Sequence, residues 1–376
     1  MTQQVSYRIC VRCIMDTTDP DIRFDSEGVC NHCTAALERI RRQVLPLVER
    51  KAALDALVEK VQREGKDLDY DCIIGVSGGV DSTMAAFWVK KLGLRPLAVH
   101  FDNGWNSELS ADNIKRTIEA LGIELFTHVV DWEEFRDLQL SFLKASVANC
   151  EVPTDHGITA LLFRMARKVG TRYILSGSNL MTEAIMPVSW GHYNQDLKHM
   201  KAIHRRFGTV PLKTMPTISL GYYFYYVLVR GMRQIPVLNY VVYDKAEAKK
   251  RFAREIGWRD YGAKHYESIW TRYFQGYYLP SKFGYDKRKA HLSSLICSGQ
   301  MSRDDALAEM AKPAYEPELL RQDTQFVLKK FGLTDGEFDA ILKAPPKKAT
   351  DYPGHHFFFR RMLRMKNVFR HIATRP

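Results

Sequence analysis

The chain has 376 residues, 45% of them hydrophobic, and 55 Lys and Arg against 43 Asp and Glu give a net charge of +12. That length holds two or more domains with real cores, and no apolar run approaches the roughly 18 residues that suggest a membrane span. The opening Met-Thr-Gln-Gln-Val-Ser has no basic segment followed by an apolar one, and seven cysteines are too few for a disulfide scaffold, so no leader and a reducing, cytoplasmic setting are expected. The charge suits a nucleic acid, a membrane surface or a polyanionic small molecule and does not by itself choose among them.

Residues 1–35 contain Cys10-Val11-Arg12-Cys13 and, sixteen residues on, Cys30-Asn31-His32-Cys33. Each pair closes a tight knuckle that aims two thiolates at one tetrahedral ion. Cys10, Cys13, Cys30 and Cys33 are therefore expected to hold a structural Zn²⁺, with His32 the alternative to one of them. Four thiolates leave no open position for a catalytic water. Asp25-Ser26-Glu27-Gly28 reads as a hairpin turn between the pairs. Residues 34–66 read as helix, with Leu37, Ile40, Val44, Leu54, Leu57 and Val61 at helical spacing and Gly65 at the end; the stretch 36–66 is taken as a helical linker.

Residues 67–240 alternate strand signals (72–76, 96–101, 124–130, 172–176) with helical ones (82–92, 108–121, 133–147, 157–169). This predicts an α/β fold, a Rossmann-like parallel sheet covered on both sides, with ligands outside the carboxyl ends of the strands. Loops 77–82, 102–107 and 177–183 are placed to meet them. In the first, the run Ile73-Ile74-Gly75-Val76 meets Ser77-Gly78-Gly79-Val80-Asp81-Ser82, a tight turn that opens a helix. Backbone N–H groups at such a junction, with the helix dipole behind them, favour an anion. The Lys of a Walker loop is absent. From Leu220 to Val229 the chain is aromatic and apolar and reads as a buried or interface helix.

The Ser-Gly-Gly-x-Asp-Ser pattern resembles the pyrophosphate loop of the ATP-pyrophosphatase superfamily, whose sheet is of the adenine-nucleotide α-hydrolase type. The resemblance implies cleavage of ATP between the α- and β-phosphates, with AMP placed on a substrate oxygen. It assigns ATP contacts to Val76, Ser77, Gly78, Gly79, Val80, Asp81 and Ser82. The superfamily holds adenosine after its second strand, so Phe101 and Asp102 are candidates for the adenine and ribose side; a plain Asp-Asn-Gly turn is the alternative. Gly177-Ser178-Asn179-Leu180-Met181-Thr182-Glu183 resembles the Gly-Thr-x-x-x-x-Glu element of ammonia-dependent NAD synthetases, with Ser for Thr. By that likeness Gly177 and Ser178 meet the ATP phosphates, and Glu183 shares Mg²⁺ with Asp81, a carboxylate pair that suits this ion.

Residues 241–376 read as a mainly helical substrate or partner region. Its informative parts are 257–268, around Tyr261, Lys264 and His265, and 282–293, with Lys282, Arg288, His291 and Ser293. Cations, hydroxyls and aromatics alternate there too irregularly for an amphipathic helix, as a phosphate- and sugar-binding surface would. Together with the cysteine pairs and the Ser77–Ser82 loop, these stretches resemble the N-acetyl-sugar amidotransferases of bacterial lipopolysaccharide O-antigen and flagellin-glycan pathways. The likeness runs to about residue 315, and Ala263 stands where a Gly is usual.

That resemblance implies conversion of an acetamido group on a nucleotide-activated N-acetyl sugar to an acetamidino group through an O-adenylated intermediate. Asp81, Lys264 and His265 would carry catalysis, Lys264 neutralising charge and His265 moving a proton or binding phosphate. Lys282 and Arg288 would face the sugar's diphosphate. No glutaminase triad is recognisable, so the resemblance implies ammonia from a separate glutaminase with a cyclase-like channel subunit. No nucleic-acid partner is expected. Residues 345–376 carry eight Lys and Arg against one Asp, with Phe358, Met362, Met365, Phe369 and Ile372 at helical spacing. Such a tail docks on its own domain or, less expectedly, lies on an anionic membrane. The rival readings are a tRNA-thiolating enzyme with Cys150 as sulfur carrier, and a zinc-ribbon nucleic-acid-binding protein.

Overall fold

The structure, a computed structural model, describes residues 6–191, 193–262, 266–359 and 361. Five parallel strands form one sheet: β1 (Cys72–Gly75), β2 (Pro96–Asp102), β3 (Glu124–Val129), β4 (Tyr173–Ser176) and β5 (Arg233–Pro236), in the order β3-β2-β1-β4-β5. The chain builds outward from β1 in both directions. The crevice between the carboxyl ends of β1 and β4 is thus the point where the strand order reverses, the place such sheets use for ligands. The first four strands lie where the β-branched runs predict them. β5 was not expected: Arg233 and Gln234 are exposed and Pro236 ends it, so it carries neither a buried apolar run nor clean alternation.

Alternation along the strands supplies two cores. Ile73, Leu97, Val99, Phe101 and Ile174 pack beneath α5 (Trp132–Lys144) and α6 (Val152–Val169), while Cys72, Ile74, Ala98 and Leu175 pack beneath α2 (Leu47–Gly65), α3 (Val80–Lys91) and α4 (Glu108–Leu121). Each fully buried aliphatic or aromatic side chain contributes about 1.5–3 kcal/mol of burial. The helix read over 34–66 is two helices, α1 (Asn31–Gln43) and α2, because Pro46 lacks the N–H a continuous helix needs and instead precedes the second one. Val61 of α2 is fully buried against the sheet, so this stretch does more than connect. α6 begins five residues before the expected start at 157, with Pro153 in its first turn.

The helix Lys287–Cys297 bonds to both the N-terminal cysteine module and the segment that follows β4. Ser293 Oγ accepts from Ile14 N–H at 3.2 Å, and Ser294 Oγ accepts from Ile185 N–H at 2.9 Å. Arg303 donates to the carbonyls of Cys13 and Cys10 at 3.1 and 3.2 Å. The segment expected to be a buried or interface helix is an α-helical turn, Leu220–Phe224, followed by a π-helix, Tyr225–Val229. Tyr226 is buried there, whereas Tyr222, Leu228 and Val229 are exposed. The basic tail beyond residue 361 lies outside the described residues, as does Arg360. Among the described residues no helix is long and apolar enough to cross a membrane.

Candidate active site

β1 ends at Gly75, and the chain turns through Val76–Gly79 into α3. Gly78 sits at φ +80°, where a Cβ would stand 2.7 Å from Ser110 O. The turn's carbonyls are tied down: Ser77 O accepts from Ser110 Oγ at 3.0 Å, and Gly78 O accepts from Trp258 Nε1 at 2.9 Å and Tyr261 Oη at 2.7 Å. Ser82 Oγ donates to Gly79 O at 2.9 Å. With the carbonyls held behind the turn, the first-turn N–H groups of α3, which have no intrahelical acceptor, are left for an anion. Val76 and Ser77 line a cavity of about 710 Å³ at the crevice between β1 and β4.

Phe101, 8% exposed, lines the same cavity and stacks on His128 with centroids 6.0 Å apart. His100 Nδ1–H donates to Val76 O at 2.9 Å, and its Nε2 accepts from the Asn106 amide at 2.9 Å. Asp102 does not join Phe101. Neighbouring strand residues point to opposite faces, and Asp102 lines a separate hollow of about 600 Å³, its Oδ1 accepting from Gly104 N–H at 2.9 Å. Expecting both residues at one adenosine site overlooked that alternation.

Gly177 and Ser178 follow β4. A Cβ on Gly177 would meet Asp81 O at 2.5 Å, so the β4 loop rests directly on the start of α3. Gly177→Ala is expected to cost about 1–3 kcal/mol by overpacking and to lower ATP turnover, measured by thermal unfolding and AMP formation. Ser178 and Glu183 line the cavity. Asp81 accepts a hydrogen bond from the Tyr243 hydroxyl, and its Oδ2 lies 3.4 Å from Lys245 Nζ. Burial and then the charge of Asp81 push the Tyr243 phenol well up, and Glu183 adds to this. Asp81 and Glu183 follow the neighbouring strands β1 and β4, and both offer the carboxylate oxygens that Mg²⁺ takes. Tyr243 and Lys245 were missed; nothing in their local sequence links them to Asp81.

Lys264 and His265 lie outside the described residues. Their flanks are anchored at the loop. Tyr261 bonds Gly78, and Glu267 lines the cavity beside Gly79, where an added Cβ would come 3.3 Å from Oε1.

The two cations expected on the sugar diphosphate face elsewhere. Lys282 Nζ donates to the carbonyls of Ile341, Leu342 and Ala344, closing the end of the helix Asp335–Lys343, where a cation is favoured. Arg288 pairs with Asp286 at 2.7 Å and donates to Lys312 O at 2.8 Å. Lys287 and His291, four residues apart on one helix face, line the cavity instead.

The four N-terminal cysteines come together. A zinc ion about 2.3 Å from four sulfurs sets them about 3.8 Å apart; Cys10–Cys33 and Cys13–Cys30 are separated by 3.9 and 3.7 Å, and all four sulfurs lie within 4.8 Å of one another. Backbone N–H groups of Cys30 and Met15 point at Cys10 and Cys13 Sγ at 3.2 and 3.4 Å, as thiolate ligands require. His32 is turned away to Asp19, 2.5 Å from its Nε2. Cys297 Sγ stands 3.8 Å from Cys33 Sγ, a neighbour the sequence did not announce.

Two family models match, at separate stretches: the queuosine biosynthesis protein QueC over residues 71–160, and the C-terminal domain of WbpG-like LPS biosynthesis proteins over residues 267–366. Both stretches supply walls of the one cavity. Together these matches support a PP-loop ATP pyrophosphatase of the WbpG type. The chain is 32% identical to the tRNA(Ile)-lysidine synthases of two Thermus thermophilus strains over 114 residues, 30% of its own length, and spans only 21% of theirs. Among solved structures, NMN synthetase from Francisella tularensis matches at 16% identity and TM-score 0.29, covering 57% of this chain and 94% of the synthetase. The NH3-dependent NAD synthetase from Campylobacter jejuni matches at 15% identity and TM-score 0.29, covering 43% and 73%.

Proposed function

We propose that this enzyme uses ATP to convert the acetamido group of a nucleotide-activated N-acetyl sugar into an acetamidino group, in the making of a lipopolysaccharide sugar. The observation that carries the reading is the shared cavity. The Ser-Gly-Gly-x-Asp-Ser loop enters it through Val76 and Ser77, and the WbpG-like stretch through Glu267, Thr271, Lys287 and His291, so the two matched parts of the chain face one space.

An amide oxygen is a poor leaving group, and adenylation makes it a good one. The turn at Ser77–Ser82 holds the pyrophosphate that departs when the amide oxygen attacks the α-phosphorus. Phe101 offers the adenine an apolar wall. Lys287 supplies positive charge on the side of the WbpG-like domain. Mg²⁺, held by Asp81 and Glu183, would spread the developing phosphate charge. Ammonia then displaces AMP, and a separate glutaminase partner delivers it in the cell. The isolated chain is expected to release AMP with ammonium and a UDP-N-acetyl sugar and not with glutamine and that sugar. Turnover on glutamine alone would overturn the partner, and AMP release indifferent to sugar would overturn the substrate.

Cys150 disfavours the thiolation reading. It is fully buried, its Sγ–H faces Val147 O at 3.5 Å, and burial pushes the thiol up, away from the thiolate a sulfur carrier needs. Cys150→Ser, whose hydroxyl can donate to the same carbonyl, is expected to leave sugar-dependent AMP formation within roughly threefold, since substitutions away from reacting groups act through modest stability losses. Loss of activity with an unchanged unfolding midpoint would restore the thiolation reading.

A further inference from the structure

The cavity has a neighbour. The hollow of about 600 Å³ that Asp102 lines lies against it, and among the described residues only His100 and Asn106 line both spaces. One hydrogen bond joins the pair: the Asn106 amide donates to His100 Nε2 at 2.9 Å. The two are not equally fixed. His100 is buried, and its Nδ1–H is tied to Val76 O at 2.9 Å. Asn106 is half-buried, and its amide has a second, longer contact at 3.3 Å to Asp102 Oδ1. The backbone beside it is pinned, through a bridge from Asn106 to Ser268 and a bond from Ser107 N–H to Glu267 O at 3.0 Å. Turning the Asn106 side chain away from His100 therefore opens the partition and leaves the chain in place.

The far side of the hollow faces solvent. It lies between α4 and the edge strand β3, where Ala111 and Thr127 are exposed. Ile114 and Ile118 make its lining partly apolar. Asp102, Glu108 and Glu119 stand there against one lysine, Lys115, in a chain whose net charge is +12. Such a passage repels the polyphosphates of ATP and of a nucleotide sugar, while it draws ammonium and lets neutral ammonia through.

We propose that this hollow is the inlet for ammonia and that Asn106, resting on His100, is its gate. This assignment rests on the amidination reading. A pocket of roughly 300–1,000 Å³ takes one ligand of ordinary size, and the cavity of about 710 Å³ has ATP and a nucleotide sugar to hold at once. Ammonia is needed last, after the amide oxygen has been adenylated, when those two ligands fill the way they came in. A small, gated opening admits the nitrogen without exposing the adenylated amide to bulk water.

The test uses the full chain with ATP, Mg²⁺, a UDP-N-acetyl sugar and ammonium. Sugar-dependent exchange of labelled pyrophosphate into ATP reads adenylation, and amidine formation against ammonium concentration reads nitrogen entry. Ala111→Trp and Thr127→Trp place bulk in the hollow, and neither residue lines the main cavity. Each is expected to raise the KM for ammonium by about tenfold or more while exchange, and the KM for ATP and for the sugar, stay within about threefold. Asn106→Ala widens the gate and is expected to raise the rate with methylamine, relative to ammonium, by about tenfold. Adding Ala111→Trp to it should abolish that gain, because methylamine then has no way in. An unchanged ammonium KM in both tryptophan variants, loss of exchange in step with amidine formation, or a methylamine gain that survives Ala111→Trp would overturn the inlet. Wild-type protein without sugar-dependent exchange would instead overturn the amidination reading, and the inlet with it.

Discussion

Asp81→Asn is expected to cut AMP formation by about a hundred- to a thousandfold, the range seen when one group that stabilises transition-state charge is removed. The unfolding midpoint should hardly move. The Tyr243 hydroxyl that donates to Asp81 can donate equally to an asparagine oxygen. Glu183→Gln should act in the same direction, and both should raise the Mg²⁺ concentration needed for half-maximal rate. If Asp81 and Glu183 serve one ion, the double variant should be little worse than the worse single one, because groups that act as a unit are not additive. Strictly additive losses, or a normal rate for Asp81→Asn at saturating Mg²⁺, would contradict a shared metal.

Cys33→Ser, or prolonged chelation, is expected to remove one zinc per chain and to unfold the N-terminal module. Zinc binding in small cysteine modules is worth about 10–16 kcal/mol near neutral pH, comparable to or more than the ~5–15 kcal/mol that holds a typical domain together. The damage should reach the active site. Ile14, Cys10 and Cys13 bond to Ser293 and Arg303, and Ser293 lies on the helix that brings Lys287 and His291 to the cavity. AMP formation should therefore fall with zinc content and recover when zinc is restored. Metal analysis alongside the unfolding midpoint checks this; a zinc-free chain with an unchanged midpoint and rate would contradict a structural role.

What could be read in advance follows the range of the interactions. The pyrophosphate turn is a local object: two glycines, hydroxyls and a helix start sit within ten residues, so residue types and order were enough. The four cysteines were legible for the same reason, since metal-ligand spacing is a short-range rule. β5 was not, because an exposed edge strand with Arg233 and Gln234 needs only a neighbour to pair with, and that neighbour, β4, is fixed by the fold.

The basic residues near 282–291 show a finer limit. Which cation faces the cavity depends on where the helix begins, and Asp286, which accepts from Arg288 N–H at 3.0 Å, sets that start. Lys287 and His291 then share a face while Arg288 is turned about 100° away by the helical period. Their four-residue spacing was a usable signal. Glu151 and Asp155, which also line the cavity, have the same spacing, but the helix expected over 157–169 begins past both of them. Tyr243 and Lys245, which meet Asp81 from more than 160 residues away, had no signal in a single sequence.

The central claim is that the nitrogen of ammonia replaces the oxygen of a sugar acetamido group at the expense of ATP. The most direct measurement incubates the protein with ATP, Mg²⁺, ¹⁵N-labelled ammonium and a panel of UDP-N-acetyl sugars, and follows AMP and the mass of each sugar together. The account predicts that with unlabelled ammonium one sugar becomes lighter by about one mass unit, since O gives way to NH, that its ¹⁵N-labelled product is about one mass unit heavier than the unlabelled product, and that AMP is formed in equal amount. AMP that forms without any labelled sugar, or no sugar-dependent AMP across the panel, would contradict it.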